Sequence, residues 1–173
     1  MNLRSKVAVA VGAAAIGLGS VMASVSYADD GPWLPGENDS FRAYNAGVGQ
    51  YLDSNGSGNN VITYPRSDSQ QVWHKFAPQG NTFGLTSEGK AGQCITAPHT
   101  LGRPATMQDC DDRNPLQRFV MVIEGDRTLI ARAGDTGEVL TATGKSSSGN
   151  LKNVTLDTKR TPNLNQRWYI GEA

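Results

Sequence analysis

The sequence predicts an all-β chain of three four-strand repeats, and three observations carry that prediction. The phrase Gln-x-aromatic recurs as Gln71-Val72-Trp73, Gln117-Arg118-Phe119 and Gln166-Arg167-Trp168, at separations of 46 and 49 residues. A fixed period of this size marks one supersecondary unit used repeatedly, none able to bury its apolar face alone. Between the phrases, short runs rich in Val, Thr, Leu and aromatics are broken every few residues by Gly, Asn or Asp, and no long helical period appears. The turn signals Pro78-Gln79-Gly80-Asn81 and Glu124-Gly125-Asp126-Arg127 each follow a phrase and an apolar run, as hairpin connections do.

Ahead of the repeats stands a leader. Arg4 and Lys6 precede an uncharged, Ala/Gly-rich stretch from Val7 to Val25, and Ser26-Tyr27-Ala28 offers small residues at the positions a signal peptidase reads. Residues 1–28 are therefore expected to be a signal peptide, cleaved after Ala28. The competing reading is an uncleaved anchor, weakened by the low hydrophobicity of so many Gly and Ala. A secreted, extracellular protein of 145 residues follows, enough for one domain and too few for two. Removing Arg4 and Lys6 from 16 basic residues leaves 14 against 16 acidic ones, a net charge of −2. That balance argues against capture of nucleic acid or anionic lipid, and no membrane span is expected in the mature chain.

Residues 29–40 form the next element, an extended arm. Trp33 sits between Pro32 and Leu34-Pro35, with Gly31 and Gly36 nearby. One large apolar anchor on such an arm either inserts into a partner's groove or folds back over its own barrel.

The domain proper spans residues 41–173, with repeats at about 41–80, 81–125 and 126–173. Opening strands are expected at Phe41-Arg42-Ala43-Tyr44, Phe83-Gly84-Leu85-Thr86 and Thr128-Leu129-Ile130-Ala131. After a Gly-containing turn come Gln50-Tyr51-Leu52-Asp53, Gln93-Cys94-Ile95-Thr96 and Glu138-Val139-Leu140-Thr141. Third strands follow at Val61-Ile62-Thr63-Tyr64, Ala105-Thr106-Met107-Gln108 and Val154-Thr155-Leu156-Asp157, and the Gln-x-aromatic phrase closes each unit. Twelve short strands with pseudo-threefold packing make a β-trefoil. Gln71, Gln117 and Gln166 are expected to satisfy backbone groups where the chain turns, because buried polar groups require partners. Trp73, Phe119 and Trp168 fill the shared core. Both cysteines, Cys94 and Cys110, lie in the exported part, at a spacing that suits an intrachain bridge.

The threefold Gln-x-Trp pattern, with Cys94-Ile95-Thr96 before Met107-Gln108-Asp109-Cys110, resembles the ricin-type lectin family from Phe41 to Gly171. In that family a cysteine pair staples the second and third strands of a repeat. Here only the middle copy has it, since Tyr51 and Arg66 stand at those positions in the first copy and Val139 and Lys159 in the third. The resemblance also implies a carbohydrate site built from the Asp after Cys-Leu, an aromatic ending the third strand, and the polar residue before the closing Gln. A carboxylate accepts directed hydroxyl bonds and a ring covers the apolar face of a sugar.

Only the first copy fills all three roles, with Asp53, Tyr64 and Gln70; Asn55, Asn59 and Asn60 in the intervening loop can add hydroxyl contacts. The bland alternative is that Asp53 caps a turn and Tyr64 covers the barrel rim. The middle copy offers Thr96 and Gln108, the third Thr141 and Asp157, so both read as vestigial despite Asn165 before Gln166. One shallow site gives weak affinity, strengthened only by multivalency. Some trefoils of this shape instead dock proteins, including as subunits of secreted bacterial toxins, and the Trp33-Leu34 arm suits that second reading.

No catalysis is expected. Gly144-Lys145-Ser146 lacks the upstream Gly and strand-to-helix setting of a phosphate loop, and His74 and His99 have no second ligand or nucleophile at working spacing. Asp109-Cys110-Asp111-Asp112 lacks the Gly and distal Glu of a calcium loop. No cofactor and no metal are therefore expected. A protease-inhibitor loop, used by other trefoils, stays open as a third reading.

Overall fold

Short β-branched runs, each too brief to bury itself, become strands by pairing around a common core. The computed structural model describes residues 32–65, 68–143 and 151–173. The leader, its cleavage point after Ala28 and Gly144-Lys145-Ser146 lie outside the described residues. Each repeat supplies four strands. The first copy gives β1 (Phe41–Asn45), β2 (Gln50–Asp53), β3 (Ile62–Tyr64) and β4 (Trp73–Gln79). The second gives β5 (Thr82–Ser87), β6 (Gln93–Thr96), β7 (Thr106–Asp109) and β8 (Phe119–Glu124). The third gives β9 (Arg127–Arg132), β10 (Asp135–Thr143), β11 (Lys152–Thr158) and β12 (Trp168–Glu172).

The first and last strands of the copies close on one another in the order β1, β12, β9, β8, β5, β4 and back to β1, all antiparallel. Such closure leaves no barrel edge open for pairing with another chain. The remaining strands form three hairpins, β2–β3, β6–β7 and β10–β11, that cover one end. This is the predicted β-trefoil.

A ring of backbone hydrogen bonds surrounds the pseudo-threefold axis. Val61 N–H donates to Ala105 C=O at 2.8 Å, Ala105 to Val154 at 2.8 Å, and Val154 to Val61 at 2.9 Å. All three residues are fully buried, so this ring satisfies groups that would otherwise be left unpaired in the core. Against the starts that the sequence predicts, β3 and β7 begin one residue later and β11 two residues earlier.

Trp73, Phe119 and Trp168 are fully buried in one cluster with Phe41, Leu52, Ile95 and Leu140. Each indole N–H finds a carbonyl, Trp73 Nε1 that of Leu52 at 3.0 Å and Trp168 Nε1 that of Leu140 at 3.2 Å. Phe119 has no donor and needs none. The predicted hairpin turns carry their glycines in the left-handed region, Gly80 at φ +61° and Gly125 at φ +64°, where a side chain would be strained. The Cys94–Cys110 disulfide is present, with a Cα–Cα distance of 4.9 Å.

The middle residue of the closing phrase has a role that the pattern did not reveal. Arg118 donates to Ala77 C=O and Thr82 C=O, both at 2.8 Å, and so pins the bulged β4–β5 hairpin that joins the first copy to the second. Arg167 pairs with Glu124 at 2.7 Å and pins the β8–β9 hairpin. In the first copy the position holds Val72, and the corresponding hairpin is replaced by the two chain ends, where Ala173 N–H donates to Ser40 C=O at 3.3 Å.

Among the described residues of the arm, 32–40, Pro35 is a point of attachment. Pro35 is buried and its carbonyl accepts the Lys75 ammonium, which also lies 4.7 Å above the Phe83 ring. Burial lowers the Lys75 pKa against the opposing pull of Asp39 and Glu37. Trp33 and Leu34 just before this anchor remain exposed, at 38% and 40%. Among the described residues no helix is long and apolar enough to cross a membrane.

Candidate functional site

The β2–β3 hairpin sets Tyr51 opposite Tyr64 and Asp53 opposite Ile62. Side chains alternate along a strand, so Asp53 and Tyr64 share one face while Leu52 turns into the core. Tyr51 packs edge-on against Tyr44, with ring centroids 5.0 Å apart, and Tyr64 is half-buried beside them. The structure thus brings the predicted acid and ring to one face.

Asp53 is 3% exposed. Its Oδ1 accepts the Asn55 N–H at 2.6 Å and its Oδ2 accepts the Gln71 amide at 3.0 Å. Burial pushes its pKa above the usual carboxylate value, and the bonds from Asn55 and Gln71 pull in the opposite direction. Each carboxylate oxygen offers about two acceptor directions, so both retain spare capacity.

The same Gln is used in every copy, but what it grips differs. Gln117 Nε2 donates to the Thr96 hydroxyl and to Asp109 C=O, both at 2.9 Å, and Gln166 Nε2 donates to the Thr141 hydroxyl at 3.2 Å and to Thr158 C=O at 2.9 Å. Their amide oxygens accept the Asp111 and Arg160 N–H groups, each at 2.7 Å. The position equivalent to these donors in the first copy is Ser67, outside the described residues. The amide nitrogen of each of the three glutamines donates to a backbone carbonyl of its own copy, Tyr64, Asp109 and Thr158. The Thr96 and Thr141 hydroxyls themselves donate to the Cys94 and Val139 carbonyls, which leaves each with little capacity for a ligand.

Gln70 is committed elsewhere. Its Oε1 accepts the Ser54 hydroxyl at 2.6 Å, Ser54 in turn accepts Ser87 at 2.7 Å, and its Nε2 donates to Gly89 C=O at 3.3 Å. A Cβ at Gly89 would collide with the Gln70 amide. Asn165 does the same job in the third copy, where Gly47 alone leaves it room and Asn45 Nδ2 donates to its carbonyl at 2.9 Å. Gln70 and Asn165 are therefore pegs into the next copy, whereas Leu116, at that position in the middle repeat, packs on the core. Sequence reasoning missed this peg, although the paired glycines, Gly47 and Gly89, were a signal for it. Asn60 is exposed and forms an isolated bridge to Thr106 of the second copy.

Clefts lie beside the other two hairpins. One of about 580 Å³ is lined by Thr96, Pro98, His99, Gln108 and Leu116, and one of about 350 Å³ by Thr141, Asp157, Arg160, Asn163 and Gln166. Neither has an aromatic wall. His74 lies 3.2 Å from Glu88 at the surface, and among the described residues no three His, Cys, Asp or Glu are grouped to hold a metal ion.

The family model described as the ricin-type beta-trefoil lectin domain matches residues 39–168. Similar solved structures include a designed threefold symmetric protein, ThreeFoil, at 19% identity and TM-score 0.66, over 78% of this chain and 99% of that one. The C-half of an earthworm R-type lectin in complex with GalNAc matches at 20% identity and TM-score 0.57, over 78% and 99%. Cytolethal distending toxin from Actinobacillus actinomycetemcomitans matches at 18% identity and TM-score 0.63, over 80% of this chain and 94% of that one. At these identities the likeness is one of fold. No curated protein sequence matches the chain.

Proposed function

Because the chain belongs to the ricin-type beta-trefoil lectin family, we propose that it is a secreted, non-enzymatic carbohydrate-binding module with one sugar site, on the β2–β3 face. The observation that carries this reading is the bond from Gln71 to Asp53, which aims a carboxylate where the other copies present a threonine whose proton is already spent on the backbone. Asp53 accepts sugar hydroxyls through its spare lone pairs, Tyr64 meets the ring's apolar face, and Asn60 contributes from the loop. Gln70 joins them only by exchanging its bonds to Ser54 and Gly89 for ligand bonds; otherwise it shapes the wall. A glycan array on the purified protein tests the proposal, with Asp53→Asn as the matched control. Binding by the parent and loss in the variant is the expected result, and an array with no bound glycan would sink the sugar reading.

The exposed Trp33-Leu34 pair, anchored at Pro35, favours a second reading in which the protein docks a secreted protein partner. The toxin structure among the fold neighbours lends it support. Co-purification with and without residues 29–40 tests it, and an unchanged set of partners after truncation counts against the arm.

A further inference from the structure

Asn55 and Gly56 lie at the start of the β2–β3 loop, and their surroundings favour rearrangement of the bond between them. Asn55 has a left-handed backbone, φ +56°. Its side chain curls forward over its own turn, with Oδ1 accepting the Ser57 hydroxyl at 3.3 Å and Nδ2 lying over Gly58, whose N–H donates to the Asn55 carbonyl at 3.1 Å. Gly56 is exposed and has no side chain to obstruct approach. Among the described residues its N–H donates to no backbone acceptor.

We propose that Asn55-Gly56 is a self-modification site. The Gly56 nitrogen attacks the Asn55 Cγ, the nitrogen gives up its proton, and Nδ2 departs as ammonia, which closes a cyclic imide. Water then adds to one imide carbonyl and breaks its bond to nitrogen. Opening at Cγ gives aspartate with the original backbone, and opening at the main-chain carbonyl gives isoaspartate. The net change is one water consumed and one ammonia released, with no redox partner. The Ser57 hydroxyl already donates to the oxygen that becomes an oxyanion during attack, which is where a donor assists. Either product places a second carboxylate two residues from Asp53, which already binds the Asn55 N–H, and like charge disfavours the ionised form of both.

The experiment ages the purified chain at mildly alkaline pH in heavy-oxygen water and follows the mass of the peptide containing Asn55. This readout does not depend on sugar binding, so the proposal stands or falls apart from the lectin reading. The expected result is oxygen uptake at Asn55 ahead of every other Asn, slowed at least about tenfold by Gly56→Ala and about threefold by Ser57→Ala. Gly56→Ala is compatible with the fold, since a Cβ there meets only the Gln70 amide at 3.4 Å. No uptake at Asn55, uptake unaffected by Gly56→Ala, or uptake about tenfold slower in the folded chain than in urea would overturn the proposal.

Discussion

The first hairpin and its two counterparts share a frame and differ in what that frame presents: Asp53 and Tyr64 in the first copy, Thr96 and Gln108 in the second, Thr141 and Asp157 in the third. In all three copies a buried glutamine at the end of a short 3-10 turn reaches into a β hairpin and bonds a carbonyl of its third strand. In the second and third copies it also grips a threonine whose own proton is spent on the backbone. In the first it grips Asp53. The comparison teaches that the repeated phrase encodes folding and that ligand chemistry depends on what occupies the far end of the glutamine's bond.

The shared frame can be broken equally in any copy. Trp73→Ala and Trp168→Ala each remove a fully buried indole and its bond to a carbonyl, and each should cost about 3–5 kcal/mol in urea denaturation. A result near zero at either position would mean that the core is not shared as described. The staple separates the copies next. Replacing both Cys94 and Cys110 by Ala should cost about 3 kcal/mol, since the bridge constrains the unfolded chain around the middle hairpin alone.

Acidity sharpens the contrast at the smallest scale. The folded-state pKa of Asp53 is raised above its unfolded value, so the native state holds this proton more tightly than the unfolded chain does. Between those two values stability falls as pH rises, and the cost is complete above the folded pKa. Relative to Asp53→Thr, the parent should therefore gain stability as pH is lowered from neutral through the Asp53 folded pKa, measured as a difference in urea midpoints. Sugar binding runs the other way. It needs the ionised carboxylate and should fade on acidification at a higher pH than for an ordinary aspartate.

Much of the frame was legible in the sequence because each copy repeats its own evidence. Phe41, Phe83 and Thr128 open strands, and Gly80 and Gly125 turn hairpins, at positions fixed by the period. What stayed hidden depends on residues far apart in the chain. The Val61, Ala105 and Val154 ring joins three repeats through backbone groups that carry no sequence signal. Arg118 and Arg167 act on the hairpins that join their own copy to the one before. Gln70 was legible as a polar residue in the right place, but its fate is set by Ser54, Ser87 and the missing side chain of Gly89. Asp53 and Tyr64 were picked out by the resemblance to the lectin family, and it is the β2–β3 register that puts them on one face.

Asp53 and Tyr64 together separate the first copy from its siblings, and Asp53 is the half of that difference that a swap to the siblings' own threonine removes. Asp53→Thr installs the residue found at Thr96 and Thr141 and keeps an acceptor for Gln71, so the fold should hold to within about 1 kcal/mol. Glycan binding by this variant, measured beside the parent, is the direct test. Binding by the parent and none by the folded variant is the expected result; equal binding by both would remove Asp53 from the site.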